Sequence, residues 1–173
     1  MAEKLPTVME VLLKAFIESK GETVDLVIEH PELPGLTLEM LQWWGVNRND
    51  SSYRMWCPED HISFEWEVPP SKGQRAGAIE HAEEKISEFP ASVLRIRHGE
   101  ERGSILGPGD EPIAWILHER QETPNGIKMR STFTFPAKTP QRFLDAMRKH
   151  CLAEMGHLPE FLPSLYRLNV GKL

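Results

Sequence analysis

Residues 139–166 read TPQRFLDAMRKHCLAEMGHLPEFLPSLY. Thr139 before Pro140 is a helix start, with threonine as N-cap and proline at the first helical position, where a missing N–H costs nothing. Beyond it, Phe143, Met147, His150 and Glu154 stand at steps of four, three and four. At about 100° per residue these four side chains fall within roughly 40° of one another, in one stripe along the helix. The two large apolar members must face a core, so His150 and Glu154 are carried inward with them. A carboxylate placed there needs a partner to offset its desolvation. A divalent metal is one such partner, since imidazole and carboxylate at i and i+4 reach the same ion from one side of a helix. A hydrogen-bonded or exposed pair has the same spacing. A kink is expected near Gly156 or Pro159.

The chain before this helix is largely β in pattern. From about residue 53 to 135, the segments HISFEWEV, GAIEHAEEKI, SVLRIRH, IAWILHER and IKMRSTFTF are separated by proline, glycine and charged turns, which implies an antiparallel meander. EERGSILGPGDEP, residues 100–112, has the composition of a long exposed loop that could border a pocket mouth. Nearer the N-terminus, Thr7 with Glu10 three residues later opens an amphipathic helix over 7–19. TVDLVIE at 23–29 reads as a strand that HPELPG ends, and Thr37 caps a short helix, TLEMLQWW. A curved antiparallel sheet around one long terminal helix is an α+β arrangement, the helix-grip or START-like architecture. The expectation is a single domain over 1–173, with a cavity between sheet and helix.

Composition narrows the function classes. The chain is 40% hydrophobic and 27% charged over 173 residues, enough for a sizeable core. Its net charge of −6 and pI near 5.7, with both signs interspersed, leave no footprint for nucleic acid. The first 20 residues are broken by Glu10, Lys14 and Glu18, unlike a signal peptide, and no apolar run is long enough to span a membrane. Cys57 and Cys151 are the two cysteines and have no CxxC spacing, so a reducing cytoplasm is the expected compartment. Trp43, Trp44 and Trp56 belong to the core or to an interface, the latter consistent with a homodimer.

Further ligands for the helix pair must come from the sheet. His61 opens a strand whose Ile62, Phe64, Trp66 and Val68 alternate as a buried face, so His61 starts on the opposite parity and needs a turn or bulge to point inward. In GAIEHAEEKI the inward set is Ala78, Glu80, Ala82, Glu84 and Ile86, which aims Glu80 and Glu84 at the cavity and His81 and Glu83 away from it. Glu80 and Glu84 are about 13 Å apart along a strand, so only one can bind a given ion. His118, in WILHER, is the candidate for acid or base work because imidazole titrates near neutrality. His30, His98 and His157 fall at turns or element ends and receive no role.

Two segments, YRMWCPEDHISFEW (53–66) and HCLAEMGHLPEFLPSLY (150–166), with LTLEMLQWW before them, resemble the diacetylphloroglucinol hydrolase family, which includes phloretin hydrolase. The resemblance runs over about 36–68 and 143–166. It implies a zinc-dependent hydrolase of START-like fold that cleaves the carbon–carbon bond between a phenolic ring and an acyl group. On this resemblance His61, Glu84, His150 and Glu154 are the Zn²⁺ ligands, with Glu80 the alternative to Glu84. Tyr53 resembles a tyrosine that contacts a phenolic hydroxyl, and His118 a strand histidine of the pocket. The chain departs from the family in having only two tyrosines, Tyr53 and Tyr166, with Phe133 and Phe135 where another is expected. The function so implied is metal-dependent hydrolysis of an aromatic or polyketide-like ketone. The alternatives are a non-catalytic START-like module that binds an aromatic or lipid ligand, and a cyclase-like helper without metal.

Overall fold

The computed structural model describes residues 4–170. Helix α1 (Val8–Ser19) is followed by strands β1 (Thr23–Glu29) and β2 (Leu33–Pro34), and then by helices α2 (Leu38–Asn47) and α3 (Asp50–Trp56). Strands β3 (His61–Val68), β4 (Ile79–Ile86), β5 (Phe89–His98), β6 (Gly103–Leu106), β7 (Pro112–Glu122) and β8 (Gly126–Pro136) lead into helix α4 (Gln141–Asn169). The strands form one antiparallel sheet of order β1-β8-β7-β6-β5-β4-β3, with β2 also paired to β8. The meander is thus β3 to β8, and β1 closes against its last strand.

Local signals explain most of the elements. Thr7 accepts from the Glu10 amide while the Glu10 carboxylate accepts from the Thr7 amide, a complete capping box. Thr37 caps α2 through the Met40 amide. Along β4, burial alternates strictly, with Glu80, Ala82, Glu84 and Ile86 inward. On α4, Phe143, Met147, His150 and Glu154 are all buried. The helix rests on β1, β2 and β4, while α1 packs against β5, β7 and β8. No helix among the described residues is long and apolar enough to cross a membrane.

The structure corrects several sequence expectations. Residues 50–56 are helical rather than the start of β structure: Asn49 and Ser52 form a capping box that starts a turn, and the turn buries Tyr53 and Trp56. Residues 103–106, expected in a loop, are strand β6, paired to β5 and β7 and burying Ile105 and Leu106. Thr139 is not the α4 cap, which is Pro140 without a side-chain bond; the Thr139 hydroxyl donates instead to the Pro136 carbonyl. The helix runs on through Gly156, Pro159 and Pro163 to Asn169. In β3 the expected buried face does not hold, because Ile62 and Val68 are 45% and 42% exposed. The register shifts between His61 and Ser63 and again between Trp66 and Val68. The extra residue at the first shift turns Ile62 out and lets His61 and Phe64, three apart, both face inward.

Candidate metal centre

The bulge in β3 sets His61 opposite Glu84 of β4, and α4 brings His150 and Glu154 over the same point. His61 Nε2 lies 3.4 Å from Glu84 Oε2 and 3.3 Å from Glu154 Oε2, and His150 Nε2 lies 3.9 Å from Glu84 Oε1 and 3.6 Å from Glu154 Oε2. His61, His150 and Glu154 thus each offer one atom to a common point, and Glu84 flanks them with a different oxygen toward each histidine. All four side chains are buried. For bonds of 2.0–2.1 Å, ligand atoms at the corners of a tetrahedron stand about 3.3–3.4 Å apart. The two shorter separations have that value and the two longer ones exceed it.

Each imidazole is held by its far nitrogen. His61 Nδ1 is 2.9 Å from the Tyr53 carbonyl and His150 Nδ1 is 2.7 Å from Asp60 Oδ2. In both rings this aims Nε2 at the carboxylates, the arrangement by which neighbouring groups orient metal-binding histidines. His61 Nε2 is fully buried and makes no well-formed hydrogen bond. Two imidazoles, two carboxylates and an orphaned ring nitrogen among them fit zinc or a similar first-row cation. His150, Asp60 and Cys57 form a second close group. There burial pushes the Cys57 thiol up to about 12, so without a cation it stays protonated.

The electrostatics show the strain of the cluster. Burial raises the Glu84 carboxyl above the usual range even though His150 and His61 pull it down. On Glu154 burial is outweighed by His150 and His61, and its carboxyl is held low. Burial also opposes charge on His150, yet Glu154, Asp60 and Glu84 push its imidazole up to about 9. At neutral pH His150 is therefore protonated and supplies positive charge beside the two carboxylates. Tyr53, stacked on the His61 ring at 4.0 Å, donates its hydroxyl to Glu84, and burial keeps its own pKa well above the tyrosine range. The Trp56 indole N–H donates to the Glu154 carbonyl at 2.7 Å.

Glu84, Glu154 and Tyr53 line a cavity of about 690 Å³ between sheet and helix. Phe133, Phe135, Phe143 and Met147 form apolar walls, and residues 99–103 border it, of which 100–103 are the first part of the segment expected at a mouth. His118 also lines it, with Nδ1 2.7 Å from the Ser131 hydroxyl, which in turn lies 2.8 Å from His30. Burial, then Arg120, drives the His118 pKa down to about 3, so the ring is neutral at pH 7. Glu80 faces the cavity but not the cluster: it lies 3.6 Å from Arg48, 3.4 Å from Arg75 and 2.9 Å from His98. Burial opposes its ionisation, yet these neighbours bring it down to about 2. Sequence reading missed Asp60, Arg48, Arg75 and His98 as contributors, because none lies in a spacing pattern with the residues it serves.

Residues 19–103 match a family model described as DAPG hydrolase PhiG domain. That stretch is just short of half the chain; it holds Tyr53, His61 and Glu84, while His118, His150 and Glu154 lie beyond it. No curated protein matches the chain. Among solved structures, the crystal structure of Ara h 8.0201 is similar at 14% identity and a TM-score of 0.55, over 83% of this chain and 98% of that one. The KanY protein is similar at 7% identity and a TM-score of 0.60, over 82% and 98%. Protein NE0264 from Nitrosomonas europaea gives 12% identity and a TM-score of 0.57, over 84% and 97%. At these identities the likeness is one of fold, and the fold is of the Bet v1/START-like type: a curved antiparallel sheet gripping a long C-terminal helix.

Proposed function

We propose that this protein is a metal-dependent hydrolase that cleaves the carbon–carbon bond between an acyl group and an aromatic ring. The convergence of His61, Glu84, His150 and Glu154, of which the two glutamates line the cavity and the two histidines lie buried behind them, carries this reading, and the similarity of residues 19–103 to the DAPG hydrolase model supports it. These four residues would hold Zn²⁺ or a related ion. Such an ion, when bound, supplies Lewis acidity to a carbonyl oxygen and acidifies water.

The chain's own groups account for the rest. Tyr53 orients Glu84, Asp60 and the Tyr53 carbonyl fix both imidazoles, and the phenylalanine walls exclude bulk water from the acyl carbon. His118 is neutral, so it is no standing acid. In this reading the hydroxyl of water joins the acyl carbon and its proton goes to the ring carbon as the carbon–carbon bond breaks, while His118, a neutral ring on the cavity wall, serves as a hydrogen-bonding group for the substrate. The products are a carboxylic acid and the deacylated ring, so the ring must be electron-rich enough to leave as a carbanion. With Tyr53 turned to Glu84 and phenylalanines along the wall, few ring hydroxyls would be read.

The test is elemental analysis of untagged protein followed by a panel of acylphenols resolved by chromatography. The expected outcome is near-stoichiometric zinc, release of acid and phenol, loss of turnover with a chelator and its return with Zn²⁺, Mn²⁺ or Co²⁺, with His61→Ala as the blank. If metal-loaded protein binds panel members and releases no acid, a non-catalytic ligand-binding module is the better reading.

A further inference from the structure

The end of the cavity away from the four-residue cluster is rich in cations. β6 and β7 pair Gly103 with Ile116, so β7 runs on past the β5–β6 turn, and Arg120, on the same strand parity as Ile116 and His118, lines the cavity beyond it. β4 begins at this end with Glu80, beside Arg48 and Arg75, and four residues along that strand, roughly 13 Å, separate Glu80 from Glu84. Four arginines therefore line the cavity, Arg48, Arg75 and Arg120 together with Arg102 on the β5–β6 turn, and of these Arg102 and Arg120 are exposed to solvent, Arg102 lying over the Trp115 ring. Among the described residues, the one carboxylate in ion-pair contact with them is Glu80, which touches Arg48 and Arg75. Arg120 has no carboxylate partner, and the groups acting on it are its surroundings and the like charge of Arg48. The buried Nε atoms of Arg48 and Arg75 have no hydrogen-bond partner. Glu100 and Glu101, at the rim, are solvent-exposed.

We propose that this arginine end binds a carboxylate carried by the ligand, with the solvent-accessible guanidinium of Arg120 as its contact, the Nε atoms of Arg48 and Arg75 being buried out of the ligand's reach. A fork of N–H donors suits a planar carboxylate bidentately, and a carboxylate there offsets the like charge of Arg48 acting on Arg120. The cavity is thereby polar at both ends, apolar between, and long enough for an aromatic body. That the ligand is also an acyl substrate rests on the reading above; the anion preference does not.

The experiment titrates 3-(4-acetylphenyl)propanoate and its methyl ester into chelator-treated full-length protein by calorimetry at low salt. Removing metal keeps the carboxylate from binding an ion and prevents turnover. The acid is expected to bind at least about tenfold more tightly than the ester, an advantage that salt erodes. Arg120→Met retains the stem and, since Arg120 has no ion pair to lose and only the like charge of Arg48 near it, is expected not to lower the melting temperature. In that variant acid and ester should bind alike. Equal affinity in the wild type, including binding of neither, overturns the proposal, as does an acid preference that survives Arg120→Met. Phenyl phosphate binding more tightly than the acid would also overturn it by assigning the end to phosphate. Acylphenol turnover with no acid preference would spare the hydrolase reading, and acid preference without turnover would spare this one.

Discussion

Asp60 touches no cavity, yet it fixes the tautomer and direction of His150 through a 2.7 Å contact. Asp60→Asn is expected to weaken metal binding about 10–100-fold with unchanged circular dichroism, as measured by competition with a chromophoric chelator. The two strand glutamates divide by their neighbours. Glu84→Gln should abolish stoichiometric metal. Glu80→Gln should retain it but cost about 3–5 kcal/mol in urea unfolding, since it leaves buried Arg48 unpaired. Metal retained in both variants would remove Glu84 from the ligand set. For His150 the folded pKa of about 9 lies above the unfolded value near 6.5. Its contribution to metal-free stability is therefore complete below pH 6.5 and is lost as pH rises through 9. The melting temperature of chelator-treated protein should fall across that window and that of His150→Gln should not; equal slopes would contradict the assignment.

At the level of elements, the long helix is seated by a few aromatic contacts. Phe143 meets Phe89 at 5.1 Å and Phe135 at 5.8 Å between ring centroids, and it is almost fully buried. Phe143→Ala should destabilise by about 3–5 kcal/mol in urea unfolding and loosen the metal site, because α4 carries half of it. Gly126 sits where β2 crosses β8, and a Cβ there would stand 2.1 Å from the Leu33 carbonyl oxygen. Gly126→Ala must displace β2, at a cost of about 1–3 kcal/mol readable in the same unfolding measurement. The inward parity of β4 was legible in AIEHAEEKI because two alanines and an isoleucine alternate there. The inward turn of His61 was not, since a bulge is set by pairing with β4 and leaves no mark in the spacing of HISFEWEV.

For the whole molecule, a metal held at the proposed site would join three distant segments, β3, β4 and α4, into one unit. A ligand that binds the folded state alone stabilises it by about 2.7 kcal/mol at a hundredfold excess over Kd. Zn²⁺ added to chelator-treated protein should therefore raise the melting temperature by roughly 5–10 °C for a chain of this size. The double variant His150→Ala/Glu154→Ala should show no such rise, and an equal rise in it would place the ion elsewhere.

Sequence alone determined the helix face that carries His150 and Glu154, the antiparallel meander, and the grip of sheet on helix. The first two follow from local periods of 3.6 and 2 residues that burial imposes on the order of side chains, and the grip from the need of one apolar sheet face and one long apolar helix stripe to bury each other. Its resemblance to a hydrolase family pointed to His61 and Glu84 as well. Tertiary structure alone decided that Glu84 joins the cluster while Glu80 answers to Arg48, Arg75 and His98, that His118 is a neutral ring facing the cavity, and that Asp60 stands behind His150. Those facts depend on strand register, a one-residue bulge and the meeting of segments up to 90 residues apart. No periodicity records such meetings, because each segment's pattern reports only which side faces the core and not what waits there.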